Sequence, residues 1–175
     1  MIIFDLDGCL ADCEHRRHFV DPKKQPVQVG HCISLDLQTG KTYSSAPKFK
    51  PDYQSFYEAC DKDTPIEPVI ECWNDQISLM SMTHYMIWSG RCESVREKTE
   101  KWLKKNVLCF SPYKLKMRPI GDSTPDDELK ERWLDEALSE GKTIDYVFDD
   151  RPKVVRMWRR RGIFVFNCCQ HDEEF

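Results

Sequence analysis

The sequence predicts an α/β domain built on a mainly parallel sheet. Three observations carry that prediction. Apolar runs of strand length recur at Met1–Leu6, Tyr85–Trp88 and Ile144–Phe148, and each runs into a polar cluster. Between them lie longer stretches whose apolar residues return every three to four positions, the helical period. The 175 residues are enough for one domain, and five strands interleaved with four helices fit that length as a five-stranded sheet flanked by helices.

Taken in order, Met1 to Leu6 is apolar apart from Asp5 and reads as a buried strand. From Cys13 to Asp63 the pattern changes, with Pro22, Pro26, Pro47 and Pro51 as punctuation. Val27, Val29, Ile33, Leu35 and Leu37 alternate with polar residues, Thr39-Gly40 makes a turn and Thr42-Tyr43 returns. Residues 27–45 are therefore expected to be a small β-hairpin within an insertion spanning 13–63 of a single 1–175 domain. Thr64-Pro65 signals a helix start, and Ile66, Val69, Ile70, Trp73, Ile77 and Met80 keep the helical period. The strand Tyr85–Trp88 ends at Ser89-Gly90. The next helix turns Val95, Trp102 and Leu103 inward and Arg96, Lys98, Lys101 and Lys105 outward. Tyr113–Met117 reads as a strand. Thr124-Pro125 ahead of Asp126, Asp127 and Glu128 is an acid-first helix start, with Leu129, Trp133, Ala137 and Leu138 on one face. Ile144–Phe148 is a strand, Val154, Val155 and Trp158 mark a helix, and Ile163–Phe166 a last strand.

Composition narrows the class. The net charge is −4 and 40% of residues are hydrophobic, which excludes a disordered tail protein. No apolar run approaches the roughly 20 residues that span a bilayer, and the start lacks the basic and long apolar regions of a signal peptide. A soluble cytoplasmic protein (in the host cytoplasm for a phage-encoded chain) with no membrane partner is expected. Nine cysteines, an odd number at irregular spacing, point to free thiols. Cys9-x3-Cys13-x-His15 and Cys168-Cys169-x-His171 look faintly ligand-like. Neither supplies the paired spacings of a structural zinc site, so buried or incidental thiols are expected.

In parallel sheets the ligand crevice lies beyond the carboxyl ends of the strands, where the winding reverses. Three expected strands end there in polar clusters: Asp5-Leu6-Asp7-Gly8, Ser89-Gly90-Arg91 and Asp149-Asp150-Arg151. Carboxylates brought together repel unless a cation neutralises them, and hard oxygen donors without histidine suit Mg²⁺. A strand-end acid is often just a turn or helix cap. Three such clusters in one architecture make a site the better reading.

Asp5-x-Asp7-Gly8, Ser89-Gly90, a later Lys130 and Asp149-Asp150 resemble the four motifs of the haloacid dehalogenase (HAD) superfamily of phosphotransferases. Arg118-x-x-Gly121-Asp122-x-x-x-Asp126-Asp127-x-x-Lys130 and Asp149-Asp150-Arg151-x-x-Val154-Val155-x-Met157-Trp158-Arg159-Arg160 narrow the likeness. They resemble the phosphatase domains of phage polynucleotide kinase/3′-phosphatases, over residues 1–12 and about 64–167. The resemblance implies a Rossmann-like HAD fold with the hairpin as a cap-like insertion, and a Mg²⁺-dependent phosphomonoesterase. Asp5 would be the nucleophile that forms an aspartyl-phosphate, and Asp7 the general acid and base. Asp5, Asp7, Asp149 and Asp150 would hold the metal, with Lys130 at the nucleophile and phosphate. Ser89, Gly90, Arg91, Arg118, Asp126 and either Arg16 or Arg17 match positions near the substrate. The expected substrates are 3′-phosphate ends of nucleic acid. Free nucleotides are the alternative, and a phosphate-binding module without turnover the second.

Departures from the family pattern are local. Cys9 stands where a threonine is usual, Thr124-Pro125 replaces a basic pair, and no G-x4-G-K-[ST] phosphate loop occurs, so a kinase half is not expected here. Lys153, Arg156, Arg159, Arg160 and Arg161 form a basic face that reads more simply as a solvated helix surface than as a polynucleotide track. His15-Arg16-Arg17-His18 follows the first motif directly and fits a substrate grip and a solvated turn equally. The hairpin is expected to screen the site as a cap, or to pair with a second subunit through its apolar face.

Overall fold

The computed structural model describes residues 1–25, 33–35, 38–40, 42–44, 49–79, 85–107 and 114–169. Its centre is a five-stranded parallel sheet of β1 (Ile2–Phe4), β6 (Tyr85–Cys92), β7 (Lys114–Arg118), β8 (Tyr146–Asp149) and β9 (Val165–Asn167), in the order β7-β6-β1-β8-β9. The chain winds outward from β1 in one direction, then returns to lay β8 and β9 on the other side. The reversal therefore falls between β1 and β8, where such sheets open their crevice.

Both faces of the sheet are covered, and β1 shows why its residues are uniformly apolar. Ile2 and Phe4 point to one layer with Trp73 of α2 (Glu67–Leu79) and Trp102 and Leu103 of α3 (Arg96–Asn106). Ile3 points to the other, with Leu129 and Trp133 of α4 (Asp126–Ser139) and Val155 and Trp158 of α5 (Pro152–Arg160). A strand buried on both faces has no polar side to show. The acids opening α4 and the proline opening α5 sit where a helix N-terminus favours them.

The expected elements are all present, with shifted ends. The second strand runs on through Ser89 and Gly90 to Cys92, and the last two strands begin at Tyr146 and Val165 rather than at Ile144 and Ile163. Tyr113, Met80, Val27, Val29 and Leu37 lie outside the described residues. The hairpin exists as β3 (Ile33–Leu35) and β4 (Thr42–Ser44), antiparallel with Ser34 opposite Tyr43. Leu138 is 43% exposed rather than inward, because α4 ends at Ser139 and its last turn overhangs the core.

Two features of the insertion escape the sequence pattern. Thr64-Pro65 does not open a helix: it forms a two-residue strand, β5, antiparallel to β2 (Ala11–Asp12). Ile66 N–H also donates to the Leu10 carbonyl at 2.9 Å. This clasp joins the two ends of the 13–63 segment, and the proline is tolerated because a two-strand ribbon needs no donor on its outer edge. A short helix, α1 (Tyr53–Glu58), precedes it, capped by Asp52, whose carboxylate accepts from Ser55 N–H at 2.9 Å. Three-ten turns occupy Glu14–Phe19 and Pro22–Lys24. Among the described residues no helix is long and apolar enough to cross a membrane.

Candidate active site

The parallel register places Asp5 one residue beyond β1, level with the carboxyl ends of β6 and β8. Asp5 N–H donates to the Phe148 carbonyl at 2.9 Å, which locks the start of the loop to β8. Asp5, Asp149 and Asp150 then converge, with one oxygen of each within 4.8 Å of the others. All three are buried. Lys130, projecting from α4, bridges the group at 2.7 Å to Asp5 and 2.7 Å to Asp149. Burial disfavours its charge, but Asp149 and Asp5 outweigh that and hold it firmly protonated.

One lysine does not neutralise three carboxylates. Burial, with Asp149 and Asp7 nearby, pushes Asp5 up to about 6 in spite of Lys130. Asp150 is raised well above the usual range by burial and then by Asp5 and Asp149. The two acids of the pair differ in what surrounds them. Asp149 is saturated: Lys130 and the Trp158 indole N–H, at 3.1 Å, donate to Oδ2, and Arg151 N–H donates to Oδ1. Asp150 Oδ1 is buried with no donor at all. A buried carboxylate oxygen without a partner, among like charges, is a fitting ligand for a divalent cation, and the all-oxygen donor set suits Mg²⁺.

Gly8 makes that approach feasible. Its φ of +87° favours glycine, and a Cβ there would lie 2.0 Å from Asp150 Oδ2. Next to it, Cys9 is fully buried, its Sγ 3.6 Å from Cys168 Sγ, and burial followed by that neighbour drives its thiol pKa well up. Cys9 is thus an inert packing residue beneath the loop, and the seven described cysteines are free thiols.

Asp7 stands in a different field. Its Oδ1 accepts from Arg16 Nη2 at 2.7 Å, Arg91 Nε at 2.9 Å and Arg91 Nη2 at 2.5 Å. Burial alone would raise its pKa; the two guanidiniums outweigh it and hold the carboxyl at about 2. Both arginines are themselves wholly buried, and a residue absent from every motif completes their pairing. Asp63 accepts from Arg16 Nε and Nη2 at 2.7 Å each and from Arg91 Nη2 at 2.6 Å. Trp102 Nε1 donates to the Asp63 carbonyl at 2.7 Å, which ties this position to α3. No spacing signal marks Asp63. Only the β2–β5 clasp brings it within reach.

The other expected residues divide between the wall and what stands behind it. A cleft of about 1120 Å³ opens over Asp5, Asp7 and Asp150, and Arg17, Gly90, Arg118, Asp126 and Lys130 line it. Arg16, Ser89 and Arg91 do not line it; Arg16 and Arg91 reach Asp7 from behind, and Ser89 Oγ accepts from Arg91 N–H at 3.2 Å. Arg118 Nε donates to the Gly90 carbonyl at 2.9 Å, and its Nη2 and Arg151 Nη1 both contact Asp126. Gly90 is needed there, since a Cβ would come within 2.8 Å of Asp126 Oδ1. On the basic helix, Arg160 and Arg161 pair with Glu131, and Arg161 also with Asp135, as a solvated face does.

Against known proteins, residues 51–173 match the family of the polynucleotide kinase PNKP phosphatase domain, of HAD type. The chain is 33% identical over 132 residues to the "Putative bifunctional polynucleotide kinase/RNA ligase" of Autographa californica nuclear polyhedrosis virus, an alignment covering 71% of this chain and 18% of that protein. It superposes on a chain of the Pnkp1/Rnl/Hen1 complex with a TM-score of 0.64 at 25% identity, over 98% of this chain and 46% of that one. A second structure, of the Pnkp1/Rnl/Hen1 RNA repair complex, gives the same TM-score at 22% identity over 98% of this chain and 43% of that one, a likeness of fold. The chain thus spans less than half of the solved chains and less than a fifth of the viral protein. With half the chain and more matched, and the sheet, loops and acids arranged as above, it belongs to the HAD-type PNKP phosphatase domain family and is a phosphatase.

Proposed function

We propose that this phosphatase removes 3′-phosphates from nucleic-acid ends through an aspartyl-phosphate on Asp5. One observation supports the mechanism most directly: two carboxylates two residues apart stand in opposite electrostatic environments. Asp5 meets a lysine and an acid cluster, and Asp7 meets two arginines. Paired groups with divergent environments are how one site divides nucleophile from acid–base work. The nucleic-acid substrate is supported by the family and by the viral relative described as a polynucleotide kinase/RNA ligase.

Asp5, Asp150 and the backbone of Asp7 would hold Mg²⁺, with Asp149 anchoring Lys130 rather than binding the ion. Once bound, the ion offsets the charge between the nucleophile and the phosphate dianion. The Asp5 carboxylate oxygen attacks phosphorus, and the P–O bond to the sugar breaks. The departing 3′-oxygen takes a proton from Asp7. Phosphate binding supplies the negative charge beside Asp7 that raises its proton affinity from the low value of the free site. Water then attacks the aspartyl-phosphate, Asp7 removes its proton, and inorganic phosphate leaves. Lys130 stabilises charge on Asp5, and Arg17 and Arg118 face the substrate from the cleft wall. Arg16 and Arg91 orient Asp7. The 13–63 segment acts as a cap, since its α1 and three-ten turns form one wall of the cleft.

Asp5→Asn tests the chemistry. The variant should fold with an unchanged sheet and lose hydrolysis of a 3′-phosphorylated oligonucleotide, together with the acid-stable labelling expected of the wild-type protein. Undiminished Mg²⁺-dependent turnover would refute the nucleophile. Hydrolysis of p-nitrophenyl phosphate with no action on any nucleotide would refute the substrate class.

A further inference from the structure

Two thiols meet beneath the catalytic loop, and the chemistry described above uses neither. Cys9 directly follows Gly8, in the position that a threonine usually fills, and its side chain is wholly buried. Its S–H donates to Cys168 Sγ at 3.6 Å, across 159 positions of chain, and Cys168 S–H donates in turn to the Phe166 carbonyl at 3.7 Å. Both are free thiols. They differ in exposure. Cys9 is out of the reach of any solute and is inert by itself, whereas Cys168, the first residue after β9, is half-buried.

The backbone ties both residues to the site. Cys168 N–H donates to the Asp149 carbonyl at 3.0 Å, so it is bonded to the strand end that carries the acid pair. On the other side, Cys9 N–H and Ala11 N–H donate to the Leu6 carbonyl at 3.3 and 2.8 Å, and Gly8 N–H donates to the Ala11 carbonyl at 2.8 Å. Gly8 already packs against Asp150 with no room for a Cβ. A loop bonded and packed in this way has no slack. Any shift of Cys9 passes to Asp7 and Asp150.

We propose that Cys9 and Cys168 form a reversible disulfide on exposure to a peroxide, and that this cross-link switches the phosphatase off. The proposal rests on the phosphatase reading above and adds its regulation. The accessible sulfur reacts first: Cys168 Sγ attacks hydrogen peroxide, the O–O bond breaks, one oxygen stays as a sulfenic acid and the other leaves as water. Cys9 Sγ then attacks the Cys168 sulfur and the S–O bond breaks. The departing hydroxide takes the Cys9 proton and leaves as a second water. Two thiols have lost two electrons and two protons, and one peroxide has become two waters. A thiol reductant reverses the step. Bond formation draws the sulfurs from 3.6 Å to about 2.0 Å. A displacement of about 1 Å at reacting groups costs on the order of 10²-fold in rate.

Peroxide treatment of the whole chain in Mg²⁺ tests the switch, with peptide mapping after alkylation of the remaining thiols. A peptide joining Cys9 to Cys168, lighter by two hydrogens, should appear as kcat for p-nitrophenyl phosphate falls by at least about tenfold. Dithiothreitol should restore both. Cys168→Ser should match the untreated wild type and keep its activity in peroxide. Cys9→Thr, which puts back a hydroxyl, should resist in the same way, so the test survives if either variant fails to fold. Absence of the linked peptide, a linked peptide with full activity, or equal inactivation of both variants would overturn the proposal. So would a Cys168–Cys169 link in place of the Cys9 one. None of these outcomes depends on nucleic acid as substrate: failure of the 3′-phosphatase reading shows as no action on nucleotides, with the cross-link and its effect on p-nitrophenyl phosphate still standing.

Discussion

Asp63 is the residue whose removal should cost most for its apparent anonymity. Arg16 and Arg91 have fully buried side chains, and between them they meet two carboxylates, Asp7 and Asp63. Asp63→Ala leaves two guanidiniums on one carboxylate, an uncompensated buried charge that costs about 3–5 kcal/mol. At roughly 2–4 °C per kcal/mol for a domain of this size, Tm should fall by about 6–20 °C. Asp63→Asn should fare little better. The native carboxylate accepts on both oxygens, and an amide turns one of them into a donor facing guanidinium N–H groups. Catalysis should suffer separately. Once Asp63 is gone, both arginines bear on Asp7 alone, and a displacement of about 1 Å at a proton-transfer group costs on the order of 10²-fold. Thermal unfolding and kcat and KM on a 3′-phosphorylated oligonucleotide measure both effects, with kcat expected to fall more than KM. A Tm within about 2 °C of the wild type would refute the charge argument. A lowered Tm with kcat within about threefold would show that the clamp supports the fold without positioning Asp7.

Two further predictions follow from the acid cluster. Asp150→Asn should raise Tm in EDTA by roughly 2–8 °C, because it relieves repulsion among three buried carboxylates, and should abolish any rise in Tm on adding Mg²⁺; a variant still stabilised by Mg²⁺ would remove Asp150 from the ligand set. Gly8→Ala should abolish turnover and lower stability by more than the roughly 1–2 kcal/mol of a left-handed alanine, since its Cβ must displace Asp150. Activity and denaturant unfolding check it, and a fully active alanine variant would mean the loop is freer than its geometry implies.

The parts of the site that the sequence announces share one property: they are contiguous with strand ends. Asp5 and Asp7, Ser89 and Gly90, and Asp149 and Asp150 each follow an apolar run by a residue or two. Once the runs are strands of one parallel sheet, their ends must meet. Lys130 is legible for a related reason, because it lies one helical turn into an acid-first helix whose apolar face is plain. The fold class, the order of its elements and the acid cluster therefore follow from local pattern alone. Helix α1 does not, since six residues among prolines carry too little period to see.

Tertiary structure decided the rest, because it rests on contacts between residues remote in the chain. Arg16 meets Asp63 across 47 positions, and Arg91 meets Asp7 across 84. Sequence places Asp7, Arg16 and Arg91 near the site and gives no sign of Asp63, and it leaves open whether the arginines face a substrate or a carboxylate. Burial makes the difference: a guanidinium taken out of water must find its partner within the protein. The β2–β5 clasp supplies one by folding the end of the insertion back under the first loop. The sequence determined by itself which chemistry gathers at the mouth of the sheet. Which charges face the cleft, and which are spent holding Asp7 in place, depended on how the insertion closes over it.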